Sequence, residues 1–395
     1  MPRALKRIAF VLEEFALRTP AQQLLDRFLA GYPREGAFHR LEKVDISVHV
    51  ASGAAGNADI ERRVRDFGLR VRPNLSEAVA EADAVVVAWR GRGAEANEAL
   101  LREVLQRVPA SAPVFVCGAL ANSLAAAREF RALAATRQTL AHRMGEGDRR
   151  PGKGLSTGAI SDIAPSGNLA LLSGTATAVT YRLPDIDLPS RARVKEALIV
   201  VQGPTPDAEL DALEGLLPIL ERRRGGETGV ASVRYLEGEG VWRAREERQW
   251  PERLLVAAIS RSDSPQGDPV KDGRTQDIVG LGLVPGLARN PRGWLLRHRD
   301  GVRTAILVLD GVVADNNFAV ATADGAVISA QLYRPAEPAQ AHFNLLAAAV
   351  EDFFRSGRAP WPPTRDLLVA GLLGAFRSPE SRSGRVFATP DLRVG

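Results

Sequence analysis

Cysteine is almost absent from this chain. Cys117 stands alone among 395 residues, which excludes an internal disulfide framework and a cysteine-based zinc site. Histidine is sparse as well, and His39, His49, His142, His298 and His342 show no metal-ligand spacing. No run approaches the roughly 18 uninterrupted apolar residues of a membrane-spanning helix. The opening residues, Met1-Pro2-Arg3-Ala4-Leu5-Lys6, lack the apolar stretch of a secretory signal, so the chain reads as cytoplasmic. Low-complexity tracts and short repeats are missing too. Lysine is scarce, and arginine supplies nearly all the positive charge. The net charge of +5 therefore does not predict a nucleic-acid partner. The basic clusters Glu221-Arg222-Arg223-Arg224 and Arg243-Ala244-Arg245-Glu246-Glu247-Arg248 are interleaved with acids and read as solvated faces.

One further absence is local. The strand-like run Arg7–Leu12 leads into a helix, as a nucleotide-binding unit would. The connecting loop is Glu13-Glu14-Phe15-Ala16-Leu17-Arg18-Thr19-Pro20, with no glycine and two carboxylates. A loop that grips a pyrophosphate needs glycines, because the backbone must turn tightly and come close to the phosphates.

What is present reads as two domains. Strand-like runs Arg7–Leu12, Val44–Val50, Leu69–Arg72, Ala84–Ala88 and Pro113–Cys117 alternate with helical patterns. Thr19-Pro20-Ala21-Gln22 is a helix start, with threonine as cap, proline in the first turn and glutamine three residues on. Asn57 caps a helix with an apolar face of Ile60, Val64 and Phe67, closed by Gly68; Ser76 opens a shorter one. This alternation predicts a doubly wound, mostly parallel sheet over 1–143. A Gly/Ser/Pro-rich stretch over 144–170 reads as a linker, and a second domain runs over 171–395. Within it, Asp207–Arg224 is a helix interrupted by Pro218, and Gly229–Leu236 a strand. Ser262–Gln276 is a polar loop. Trp294–Arg299, Arg303–Leu309, Phe318–Thr322 and Ala326–Leu332 read as consecutive antiparallel strands. Asp300-Gly301, Asp310-Gly311 and Asp324-Gly325 are their hairpin turns. Helices at Gln340–Ser356 and Thr364–Phe376 complete an α/β domain. It has a largely antiparallel open sheet, covered on one face and left for solvent or a second subunit on the other.

Several segments resemble bacterial proteins related to the Gfo/Idh/MocA oxidoreductases. They are Pro204 to Val230, with Ala212-Leu213-Glu214 inside it; Ser173-Gly174-Thr175, followed by Val179-Thr180-Tyr181-Arg182-Leu183-Pro184; and the tail from Gly357-Arg358-Ala359-Pro360-Trp361 to Ala388-Thr389-Pro390-Asp391-Leu392. The resemblance implies a Rossmann domain, an α/β domain whose open sheet mediates oligomerisation, and NAD or NADP used on sugars, cyclitols and related compounds. This chain departs from the pattern at several points. No acid closes the second strand, which ends Val48-His49-Val50-Ala51-Ser52. The later strand continues as Val116-Cys117-Gly118-Ala119-Leu120-Ala121-Asn122-Ser123, without the family's lysine. Asp211 stands where the nearer branch has a histidine.

Hydride transfer needs a group that moves a proton at the reacting hydroxyl. Asp211 and Glu214 share a helix face with Asp207 and are the acid/base candidates. Tyr181 and Arg182 are further catalytic candidates, with Arg182 as a clamp for an anionic substrate. Candidate cofactor-binding positions are Glu14, Thr19, Ser52, Trp89 and Gly118. Without glycines, a nicotinamide would depend on the helix dipole and amides at Thr19–Gln22. Lys153, in Pro151-Gly152-Lys153-Gly154, lacks the strand and the hydroxyl residue of a phosphate loop. The leading expectation is a diverged oxidoreductase that acts on or recognises a polyhydroxylated, carbohydrate-like molecule. The alternatives are a catalytically silent subunit paired with an active paralogue, and a redox-neutral enzyme.

Overall fold

The computed structural model describes residues 4–89, 94–145, 171–205, 207–264 and 277–394. Lys153 and nearly all of the expected linker lie outside the described residues, as does most of Ser262–Gln276. The chain divides into two compact units, and each is described by itself. The first unit takes the chain up to Val179 together with Pro335–Ala370; the second takes Thr180–Arg334 and Gly371 onward.

In the first unit the elements run β1 (Arg7–Leu12), α1 (Pro20–Ala30), β2 (Tyr32–Arg34), β3 (Ala37–His39), β4 (Asp45–Val50), α2 (Ala58–Phe67), β5 (Arg70–Val71), α3 (Leu75–Val79), β6 (Ala84–Ala88), α4 (Ala94–Arg107), β7 (Val114–Cys117), α5 (Leu124–Gly145) and β8 (Leu171–Gly174). Six strands form one sheet in the order β5-β4-β1-β6-β7-β8, and every pairing is parallel. This is the doubly wound Rossmann order. All five residues of Ala84-Val85-Val86-Val87-Ala88 are buried, as a central parallel strand covered on both faces requires.

The sequence reading needs four corrections in this unit. The second domain does not begin at Leu171, because Leu171–Gly174 is the sixth strand of the first sheet, paired with β7. Helix His342–Ser356 also belongs here: its Leu346, Ala347, Val350 and Phe353 join the core that contains Phe10, Leu24 and Phe28. Asn74, not Ser76, caps α3, accepting the Glu77 N–H at 2.9 Å. The face of α2 is not wholly apolar either. Ile60 is buried, but Val64 and Phe67 are exposed, and Arg63 turns inward. Two contacts draw Arg63 in: an ion pair to Asp26 and a stack 4.8 Å above the Phe15 ring. The neighbouring edge strand β5 is only two residues long and offers Val64 and Phe67 little to cover them.

The second unit contains β9 (Tyr181–Leu183), β10 (Val194–Val201), α6 (Ala208–Leu220), β11 (Val230–Glu237), α7 (Glu239–Glu246), α8 (Glu252–Ile259), β12 (Arg289–His298), β13 (Arg303–Asp310), β14 (Asn317–Thr322), β15 (Val327–Tyr333) and β16 (Val386–Ala388). The eight strands are ordered β16-β11-β12-β13-β10-β14-β15-β9. Only β10 and β13 pair in parallel; the other neighbours are antiparallel.

Asp300-Gly301 and Asp324-Gly325 close hairpins as expected. Asp310-Gly311 does not, because β10 is seated between β13 and β14. A turn motif reports a local reversal and carries no information about which strand lies alongside. Gly311 is required there for another reason: its φ is +85°, and a Cβ would meet the Leu287 carbonyl at 2.8 Å. Helix α6 stops at Leu220 rather than Arg224, with Pro218 in its last turn.

The expectation of one open face is also corrected. Leu198, Val200, Leu307 and Ala319 pack under α7 and α8, where Trp242, Trp250, Leu254 and Leu255 cover them. Ile199, Val201, Ile306, Phe318 and Val320 alternate to the other face and are equally buried. Trp294 on that side stacks on Phe376 with ring centres 4.1 Å apart. Exposed apolar side chains sit on the edge strands instead, as at Leu183 of β9 and Val386 of β16.

Candidate functional site

The order of the first sheet reverses between β1 and β6, and a doubly wound sheet binds ligands in the crevice beyond its strand ends at such a point. The register sets Val50, Leu12, Ala88, Cys117 and Gly174 in one row. One residue further out come Glu13, Trp89 and Gly118, with Ser52 close by. The lacing continues past the strands: Glu13 N–H donates to Ala88 O at 3.0 Å, Ser52 N–H to Glu13 O at 2.9 Å, and Gly118 N–H to Gly174 O at 3.0 Å. Trp89 lies on the bare backbone of Gly118, whose Cβ position is 3.4 Å from the indole nitrogen. The structure therefore brings Ser52, Trp89 and Gly118 to the mouth of the crevice. Glu13 is buried there and Glu14 half-buried.

The start of α1 is capped by its own side chains. Thr19 Oγ1 accepts the Gln22 N–H at 3.3 Å, Pro20 has no N–H to offer, and Gln22 Oε1 accepts the Arg18 N–H at 2.9 Å. This is a capping arrangement displaced by one residue, and it uses amides that an anion would need. Asn57 Nδ2 holds the Phe15 carbonyl at 3.1 Å, so the loop is pinned from outside as well. With two carboxylates and no glycine, these residues do not fit the pyrophosphate of a dinucleotide.

In the second unit the candidates separate. Asp211 pairs with Arg334 at 2.9 Å. One turn back is Asp207, which makes no side-chain cap to its helix. Asp207 is exposed, but neighbouring atoms desolvate its carboxyl; that desolvation, and then the negative charge of Asp211, raise it above the ordinary aspartate range, against a downward pull from Arg377. Glu209 completes the group, 3.1 Å from Arg292 Nε. The result is a half-exposed rim of acids alternating with arginines. Glu214 faces inward and is 3% exposed.

Arg182 is committed to Asp187 at 2.7 Å, an ion pair rather than an open clamp. Tyr181 sits opposite Tyr333, on the reverse side of β9 from Arg182. The sequence carries two Tyr-Arg pairs, Tyr181-Arg182 and Tyr333-Arg334. Only the second sends its arginine to the acids. Nothing local marks it, since Arg334 and Asp211 meet through the sheet.

Other titratable groups have structural roles. His298 bonds Glu227 at 3.1 Å and Thr304 at 3.0 Å in a buried network with Arg223. His39 bonds the buried Glu351 at 2.7 Å. Burial pushes the Cys117 thiol up to about 12, so it is inert. Among the described residues no cluster of acids, histidines or cysteines is arranged to hold a metal.

No protein-family model matches this chain, and no curated protein matches it. Solved structures do match, over nearly their full length. GenD2 from gentamicin A biosynthesis, in complex with NAD, is 15% identical with a TM-score of 0.57, covering 98% of this chain and 97% of that one. The fold is theirs. A myo-inositol dehydrogenase from Lactobacillus casei is 12% identical with a TM-score of 0.55, covering 99% of each chain. A putative myo-inositol dehydrogenase from Sinorhizobium meliloti is 13% identical with a TM-score of 0.54, covering 97% and 99%. The α/β architecture that the resemblance implied, a Rossmann unit followed by a second α/β unit, is the architecture found, and the second unit's sheet is mixed. No described helix is long and apolar enough to cross a membrane.

Proposed function

We propose that this chain is a diverged oxidoreductase-fold protein that recognises a polyhydroxylated, carbohydrate-like molecule at the start of α6. The observation that carries the reading is the accessible rim of Asp207, Asp211 and Arg334, with Glu209 and Arg292 beside it. Sugar and cyclitol hydroxyls both donate and accept, so alternating carboxylates and guanidinium groups suit them. Asp207 and Asp211 are neighbouring carboxylates in unlike environments, one ion-paired and one raised in pKa, which is the arrangement that assigns acid and base roles. Asp207 is the group suited to exchange a proton with a substrate hydroxyl, with Arg334 holding Asp211 in place. The fold of inositol dehydrogenases supports the substrate class, and the NAD and NAD(H) in such structures make NAD or NADP the cofactor class to test. Any such dinucleotide must be held without the usual grip on its pyrophosphate.

A second reading, a catalytically silent subunit or a redox-neutral enzyme using the same ligand class, is favoured by the glycine-free, side-chain-capped start of α1. Calorimetry separates the two. Titration with myo-inositol and a panel of hexoses should show saturable binding that Asp211→Asn abolishes; binding unchanged by that variant removes the rim from the proposal. Micromolar binding of NADH or NADPH supports hydride transfer. No binding at millimolar nucleotide leaves the second reading.

A further inference from the structure

A separate feature of the second unit is a cavity of about 250 Å³ lined by β11, α7 and the loop before β16. Three arginines line it: Arg234, Arg243 and Arg382. Arg234 donates Nε to the Gly384 carbonyl at 2.8 Å and Nη1 to the Gln249 side chain at 2.6 Å. Those two bonds fix its fork and leave Nη2 uncommitted among the described residues. Arg382 donates Nε to the Phe376 carbonyl at 2.9 Å and lies 5.3 Å above the Tyr235 ring, with both terminal nitrogens uncommitted among the described residues. Arg243 is exposed, and its guanidinium makes no hydrogen bond or ion pair among the described residues, although its backbone carbonyl accepts the Glu247 N–H. Two acids share the lining, Glu237 bonded to the phenol of Tyr235, which also lines the cavity, and Glu247 bonded to Gln249 Nε2 at 2.5 Å, so three guanidinium groups face two carboxylates there.

The backbone adds to this. Helix α7 begins beside the cavity at Gly238, with no side chain capping it. Gly240 in its first turn, and Gly384 across the cavity, have no atom within 4 Å of a Cβ position. Open backbone at Gly240 and Gly384 and three partly free guanidinium forks line one space. A tetrahedral oxyanion accepts from several directions at once, which a planar carboxylate or a halide cannot do equally.

We propose that this cavity binds a phosphoryl group, either as inorganic phosphate or as the phosphate of a small phosphomonoester. The test is calorimetry on the full chain at constant ionic strength, with inorganic phosphate and glycerol 3-phosphate as ligands and glycerol and chloride as blanks. Saturable binding with a Kd of roughly 1 mM or tighter is expected. Arg243→Gln and Arg382→Gln should each weaken it by about tenfold or more, as loss of a charge-assisted hydrogen bond does. Arg243 holds no other described group, so its variant should keep the parent melting temperature. Tighter binding of glycerol 3-phosphate would identify the ligand as a phosphomonoester; equal affinity would identify it as phosphate. Absence of saturable heat, or affinity unchanged in both variants, overturns the proposal. The α6 rim adjoins this cavity through Arg292, which lies opposite Glu237, but Asp211 is not part of the lining, so Asp211→Asn should leave phosphate binding intact.

Discussion

Two ion pairs in this molecule use the same residue types to opposite ends. Arg131 and Asp366 in the first unit meet at 2.6 Å with side chains 4% and 1% exposed; Arg334 and Asp211 in the second meet at 2.9 Å with 37% and 23% exposed. Burial pushes the Asp366 carboxyl up and the Arg131 guanidinium down, and each is pulled back by the other. Asp366 also takes the Ser173 N–H at 2.9 Å, and Arg131 donates to the Leu171 carbonyl. Every contact there is chain on chain, so the pair fastens β8 and no ligand can reach it. The Arg334–Asp211 pair is open to solvent and has other acids around it. Chemical type does not separate a fastener from a site; access does.

The widest test of that contrast is Asp366→Ala. Leaving Arg131 charged and buried should cost about 3–5 kcal/mol in urea unfolding, and a cost below about 1 kcal/mol would show that the pair is not sealed.

Glu227→Gln comes next, at about 2–3 kcal/mol for hydrogen bonds to a buried charge. Burial alone would raise this carboxyl, but His298 and Arg223 outweigh it and hold it well below the usual range. A carboxyl depressed in the folded state stabilises fully above its unfolded pKa, near 4.5, and loses that contribution as pH falls toward the folded value. The variant should therefore flatten the acid limb of stability against pH; an unchanged limb would remove Glu227 from that role.

Thr19→Ala should cost about 1 kcal/mol by removing the α1 cap, measured by the same unfolding. No loss would mean that Gln22 secures the helix start alone. The smallest stability effect belongs to Asp211→Asn, under about 1 kcal/mol for a part-exposed pair, although the same variant should abolish polyol binding. It also removes the negative charge beside Asp207, so an NMR titration should place the Asp207 carboxyl lower than in the parent. An unmoved titration would show that the two acids do not sense each other.

Local signals carried much of the fold. The caps at Thr19 and Asn57, the apolar run at Ala84–Ala88 and the turns at Asp300 and Asp324 are each written in a few adjacent residues and appear as expected. Errors arose where the outcome depended on a distant partner. Leu171–Gly174 has the composition of a buried strand, but its membership of the first sheet is set by β7. Val64 and Phe67 keep the helical period and still face solvent, because β5 is too short to cover them.

By itself, the sequence determined the alternation of strands and helices, the loss of the glycine loop, and the acids at the start of α6. These depend on backbone preferences and on hydrogen bonds spanning a few residues. Only the tertiary structure decided that Arg334 meets Asp211 while Arg182 is taken up by Asp187, that Glu214 is buried, and that both faces of the second sheet are covered. The physical reason is that burial and ion pairing depend on contacts between residues far apart in the chain, and no local pattern encodes them.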